Sequence, residues 1–415
     1  MFQRRLGGAL AVAAIVAAAC TGGSPTTAPP TTAPVTVAPA TSGPTTAPTE
    51  APVATIGPGE GELKIVIWDG YAERGGVDPA YDWVTPFETA TGCMVTSQNM
   101  IDSNNGVGLI ESGEFDGISA SGDATTRLIT GGLVAPVDTR MLPNYANVFP
   151  GLKDLPHNTV DGVNYGVPHG RGPNLLGYNT EAVTTAPTSW DGIWEGSAPY
   201  KGKISIYDSS IFIADAALHL MKTKPELGIK DPYQLTQAQF DEAIALLEIL
   251  DGTTDEEKPN YWGLPADQVA AYTSGDVVIG TTWLYQVNLL TADSQPIAAV
   301  LPDEGSTGWS DTWMLAKAAK HPNCMLMWMD HMMSAEANAQ ATVWFGEAPT
   351  SPQACVAAEA ISVGHCDQMH ATDEAYFSKV HYWATPQTDC KDADAATTCV
   401  SQDDWVNAWS TIRGT

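Results

Sequence analysis

Apolar residues along this chain fall into short β-rich runs that alternate with stretches of helical spacing. Residues 63–68 (LKIVIW) form the first run and end at Asp69-Gly70-Tyr71. Residues 81–91 (YDWVTPFETAT) carry apolar positions at helical intervals despite Pro86, and Gly92 follows as a stop. Residues 94–96 and 115–119 (FDGIS) read as further strands, and 124–130 as a helix closed by Gly131-Gly132. Strand, helix, strand, helix at these lengths predicts a parallel α/β sheet, with any ligand beyond the carboxyl ends of its strands. Trp68 and Ser121 stand at such ends.

The second half repeats the alternation. Residues 203–207 (KISIY) predict a strand and 214–222 a helix. Thr236 caps a long amphipathic helix running to Leu250, with Phe240, Ile244, Leu247 and Leu250 on one face. Residues 269–272 end another helix, and 277–283 (VVIGTTW) read as a buried strand. The Met- and Trp-rich stretch 322–345 predicts two core helices. Asp311 follows Trp309 by two residues on an extended stretch, so both side chains point the same way.

The amino-terminal segment changes the picture from a domain to an exported one. Arg4 and Arg5 precede fourteen residues, 6–19, of apolar character, too short to span a bilayer and typical of a signal peptide. Ala17-Ala18-Ala19-Cys20 resembles a bacterial lipoprotein signal in which Cys20 is lipidated and becomes the mature terminus. Ala17 stands where Leu is usual, and ordinary secretion is the alternative. Residues 21–58 are almost wholly Thr, Pro, Ala, Val, Gly and Ser, with Glu50 the one charge, so they predict an extended tether. The folded part then holds roughly 350 residues, natural for two lobes.

The formal charge of −29 becomes more negative once the two arginines leave with the leader. Such acidity disfavours nucleic acid and anionic membrane as partners. Six cysteines remain beyond Cys20: Cys93, Cys324, Cys355, Cys366, Cys390 and Cys399. In an exported chain they suggest three disulfides among fifteen possible pairings. Proximity favours Cys390–Cys399 and Cys355–Cys366, which leaves Cys93 with Cys324. No CxxC pair occurs, so zinc at the cysteines is not expected; no metal-binding residue is assigned anywhere in the chain, and no cofactor is expected. His365, Cys366, Asp367 and His370 cluster, but not at a common metal spacing. GxSxG, HExxH and GxxxxGK[ST] are all absent, so no catalytic residue is assigned and no enzyme is expected, a secreted hydrolase being the remote alternative.

Nine phrases carry a resemblance: IVIWDGY (65–71), PFETATG (86–92), FDGISASGD (115–123), GVPHGRG (166–172), SWDGIW (189–194), YKGKISIYDS (200–209), SGDVVIGTTW (274–283), LPDEGSTGWSD (301–311) and FGEAPTS (345–351). In order and spacing they resemble the spermidine/putrescine-binding proteins of ABC importers, within the type II solute-binding fold. The resemblance covers about residues 63–350. It implies an α/β protein of two lobes, each a mainly parallel sheet flanked by helices, closing on a ligand between them. The boundaries it suggests are a signal peptide at 1–20, a linker at 21–60, one lobe from 61–172 with 306–345, and another from 173–305 with 346–415. The expected function is capture of a polyamine or related cationic amine for a permease and its ATPase. The protein would act as a monomer outside the cytoplasmic membrane, held by a lipid anchor only.

Carried over by position, the resemblance assigns ligand contact to Trp68, Tyr71, Ser121, Trp283, Trp309 and Asp311, with Asp123, Asp208 and Glu347 as further candidates. Rings stack on the carbon chain and attract its ammonium groups by roughly 0.5–2 kcal/mol each, and carboxylates pair with the same groups. Trp313, Trp328 and Trp344 lie on apolar stretches and read as packing rings. Two departures matter. A distal acid after the KISIYD strand is missing, and His169 and Arg171 stand where uncharged residues are usual. An arginine in the cleft would repel a polyamine and attract an anion. The alternative is therefore the same fold holding a sugar, a zwitterion or a thiamine-like cation.

Overall fold

The computed structural model describes residues 55–194, 199–390 and 398–414. The leader, Cys20 and nearly all of the Thr/Pro/Ala-rich stretch lie outside them. Strand β1 (Glu62–Ile67) lies between β2 (Met94–Asn99) and β3 (Gly117–Ala120), parallel to both. Leu63, Ile65, Val66 and Ile67 are all buried, as expected of a strand covered on both faces. The predicted helix before β2 spans Val84–Thr91, with Pro86 harmless in its first turn and Gly92 closing it in a left-handed conformation. A helix at Ser103–Glu111 was not predicted, because its sequence SNNGVGLIE is poor in helix formers. It forms because Asp102 accepts from the Asn105 N–H at 2.7 Å and because Val107 and Ile110 are buried.

A short hairpin, β4 (Thr159–Val160) and β5 (Val163–Asn164), precedes β6 (Gly166–Pro173). The chain then enters a second sheet made of β7 (Leu175–Asn179), β8 (Ile204–Tyr207), β9 (Asn260–Trp262), β10 (Ile279–Thr282) and β11 (Ile297–Val300). It returns through β12 (Ser306–Leu315), which pairs with β3, β6 and β13 (Val380–Tyr382). The sheet orders are β13-β12-β3-β1-β2 and β11-β7-β10-β8-β9, with β6 on β12. Three of the five strand pairs in the first sheet are parallel, as are two of the four in the second. The antiparallel pairs all involve β12 or β7, the strands next to the crossings between sheets.

The predicted amphipathic helix spans Gln237–Asp251, and the Gln239 side chain accepts from the Thr236 N–H at 2.9 Å. Residues 322–345 form the two expected helices, Pro322–Met332 and Ala335–Phe345. Trp313 and Trp328 meet edge to face at 5.6 Å within the core, while Trp344 is half-buried against Tyr81. The segment after residue 346 contributes to both sheets' surroundings. Its strand β13 extends the first sheet, and its last helix, Gln402–Arg413, sets Trp405 against Phe240 of the long helix. Three disulfides join Cys93–Cys324, Cys355–Cys366 and Cys390–Cys399, the pairing that proximity favoured. Among the described residues, no helix is long and apolar enough to cross a membrane.

Candidate ligand site

A narrow cavity, partly open to solvent, lies where strand ends of the two sheets meet. From the first sheet come Trp68 and Tyr71 after β1, Ser121 after β3, and Trp309 with Asp311 on β12. The second sheet supplies Trp283 after β10 and the Gly263–Pro265 turn after β9. Six of the nine sequence-assigned residues thus line one cavity: Trp68, Tyr71, Ser121 and Trp283 follow the carboxyl ends of β1, β3 and β10, as the sheet grammar required, while Trp309 and Asp311 lie within β12.

Asp311 is the polar centre. Its side chain is 3% exposed, and each carboxylate oxygen is held by a hydroxyl: Ser121 Oγ donates to Oδ1 at 2.6 Å and Tyr71 Oη to Oδ2 at 2.8 Å. Burial pushes its carboxyl up to about 7; the two hydroxyl bonds oppose the rise, and neighbouring Glu347 adds to it. Tyr71 is held far above the ordinary phenol range by burial and by Asp311, so it stays a donor.

Rings make up most of the remaining wall. Trp309 meets Phe345 edge to face at 5.5 Å, and Trp283 lies 6.4 Å from Phe345 and 6.5 Å from Trp383. The Trp283 indole is fixed by donation to Asn174 Oδ1 at 2.9 Å. Indole nitrogens of Trp68, Trp309 and Trp383 are buried without a hydrogen-bond partner among the described residues. The wall holds two carboxylates, Asp69 and Asp311, and no lysine or arginine.

The other three assigned residues stand elsewhere. Asp123 is buried in the first turn of the Gly122–Thr130 helix, accepts from Ser103 Oγ at 2.8 Å, and is raised to about 6 by burial. Asp208 binds Arg413 through both oxygens, at 3.0 and 3.2 Å, and accepts from Trp409 Nε1, so it anchors the last helix. Glu347 is buried behind the wall, with an oxygen 3.2 Å from His169 Nε2, and burial raises its carboxyl while His169 opposes the rise. The Trp313 indole donates to His169 Nδ1 at 2.9 Å, which leaves Nε2 as the protonated nitrogen facing Glu347.

Arg171 also turns away from the cavity. Its guanidinium lies 3.7 Å over the Phe377 ring and donates to the Ala371 carbonyl and to Glu374. The objection that it would repel a cation loses its force.

Sequence reasoning missed Met100, Phe345 and Trp383. Phe345 opens the FGEAPTS phrase, in which the resemblance assigns only Glu347. Trp383 follows a three-residue strand beyond the span of the resemblance, and nothing local marked it.

Comparison with known proteins adds the following. A family model for "Bacterial extracellular solute-binding protein" matches residues 82–362. A putrescine/agmatine-binding protein of Pseudomonas aeruginosa is 23% identical over 286 residues, which is 64% of this chain and 75% of that protein. The spermidine/putrescine ABC transporter substrate-binding protein PotD from Streptococcus pneumoniae superposes with a TM-score of 0.64 at 17% identity, over 85% of this chain and 98% of that one. The PBP MotA from A. tumefaciens B6, in complex with glucopine, gives a TM-score of 0.62 at 18% identity, over 85% and 99% of the two chains.

Proposed function

Since this chain belongs to the bacterial extracellular solute-binding proteins, the substrate-binding components of ABC transporters, we propose that its solute is a polyamine or related cationic amine. The observation that carries this reading is Asp311. A carboxylate pinned by two hydroxyls lies in a cavity walled by rings and free of lysine and arginine. An ammonium placed there gains a charge-assisted hydrogen bond, and its carbon chain stacks on Trp68, Trp283 and Trp309. The putrescine/agmatine-binding relative supports the same ligand class. Capture proceeds by closure of the two sheets' lobes around the amine, which is then passed to a permease. Cys20, lipidated under the same proposal, would hold the receptor at the membrane surface.

One observation favours a second reading. The three unpartnered indole N–H groups suit a ligand that also carries acceptors, as a zwitterion or a sugar does. Mass spectrometry of small molecules released by denaturing freshly purified protein separates the two. A released di- or polyamine agrees with the first reading, and a neutral or anionic molecule overturns it.

A further inference from the structure

Away from the cavity, three side chains from distant parts of the sequence converge. Glu304, in the turn before β12, has Oε1 held at 2.8 Å by both Ser189 Oγ and the Trp190 N–H. Its Oε2 is buried and makes no hydrogen bond among the described residues. His219, on the Ile213–Thr223 helix, is 6% exposed, and its Nδ1 is likewise unpartnered. Asp191 brings Oδ1 to 3.9 Å from that nitrogen. One ligand atom from each of the three lies within 4.8 Å of the others. A buried polar atom left unbonded on each of His219 and Glu304 is costly unless something binds it.

We propose that Asp191, His219 and Glu304 form a site for one divalent transition-metal ion, zinc being the ion that the donor set fits. An imidazole with two carboxylates suits zinc, whereas calcium and magnesium prefer oxygen alone. Tetrahedral zinc at its usual bond lengths holds ligand atoms roughly 3.4 Å apart, so side-chain movements on the order of 1 Å bring the three into place.

Lys222 is the competitor. Its Nζ lies 3.7 Å from Asp191 Oδ1 and 3.3 Å from Glu304 Oε1, on the same helix as His219. The lysine is partly exposed, and its flexible stem lets the ammonium swing into water as a metal enters. Bound zinc would tie the segment at Asp191, the helix and the approach to β12 together. None of the three ligands lines the solute cavity, so the site is independent of the solute reading. Motif spacing does not reveal it, since the ligands are 28 and 85 positions apart.

The test is zinc titration of the full chain against a chromophoric chelator, with thermal unfolding recorded with and without zinc. Expected are one ion per chain, at least tenfold weaker binding in Glu304→Gln and His219→Ala, and tighter binding in Lys222→Met. Zinc should raise the melting temperature of the parent and not that of His219→Ala. If His219→Ala fails to fold, Asp191→Asn, at a half-exposed position, makes the same comparison. Zinc affinity unchanged in these ligand variants, or no zinc uptake by either the parent or Lys222→Met, overturns the proposal.

Discussion

Asp311 holds the largest electrostatic leverage in the cavity. Removing a carboxylate from a water-poor site leaves an ammonium ligand without its partner, at a cost on the order of 2–5 kcal/mol. Asp311→Asn keeps the shape, and either hydroxyl can turn to accept from the amide. Its amine affinity is expected to fall at least roughly tenfold by calorimetry while folding survives. Asp255 is 93% exposed at its side chain, and Asp255→Asn should change little. The same residue sets a pH dependence. With its carboxyl raised to about 7 before binding, an ammonium must displace a proton as pH falls below that value. Amine affinity should therefore drop roughly tenfold or more between pH 7.5 and 5.5, and Asp311→Asn should flatten the profile. Asp215 allows a parallel test on stability. Burial pushes its carboxyl up to about 7, so the folded protein keeps a proton between about pH 4 and 7 that the unfolded chain has released. That term favours folding at low pH and is lost as pH rises to 7. Relative to the parent, Asp215→Asn should gain roughly 2–3 kcal/mol in unfolding free energy between pH 5 and pH 8. An equal offset at both pH values in denaturant titrations would contradict it.

At the scale of elements, the GVPHGRG strand shows why those glycines are there. A Cβ on Gly172 would lie 2.7 Å from Trp309 Cζ2, and one on Gly170 would overlap the Glu347 carboxylate. Strand β6 is a close-fitting back wall for the cavity's ring and for the buried acid behind it. Gly172→Ala should push the Trp309 ring, destabilise the fold by about 1–3 kcal/mol, and weaken solute binding. Unchanged affinity together with an unchanged melting curve would show that the ring is not held there. The sequence displayed elements whose apolar spacing was strong, such as β1, the capped helix from Gln237 and the helix pair after Pro322. It hid the Ser103–Glu111 helix, whose glycines contradict local propensity. There, tertiary packing decides: a Cβ at Gly106 would strike Met100 Sδ.

For the whole molecule, the α/β alternation and two of the disulfides were legible from local spacing, and Cys93–Cys324, 231 positions apart, followed by elimination. Trp68, Tyr71, Ser121 and Trp283 were legible because strand ends in such sheets converge on the ligand, whereas Trp309 and Asp311, within β12, came from the resemblance. Asp123, Asp208 and Glu347 were beyond reach of that logic, since their partners, Ser103, Arg413 and His169, are 20, 205 and 178 positions away. The central claim is that this acidic, ring-walled cavity takes a cationic amine. Calorimetric titration of protein freed of carried-over ligand, with putrescine, spermidine and spermine at pH 7.5, tests it most directly. At least one should bind with one-to-one stoichiometry, and flat traces with all three from folded protein would contradict the account.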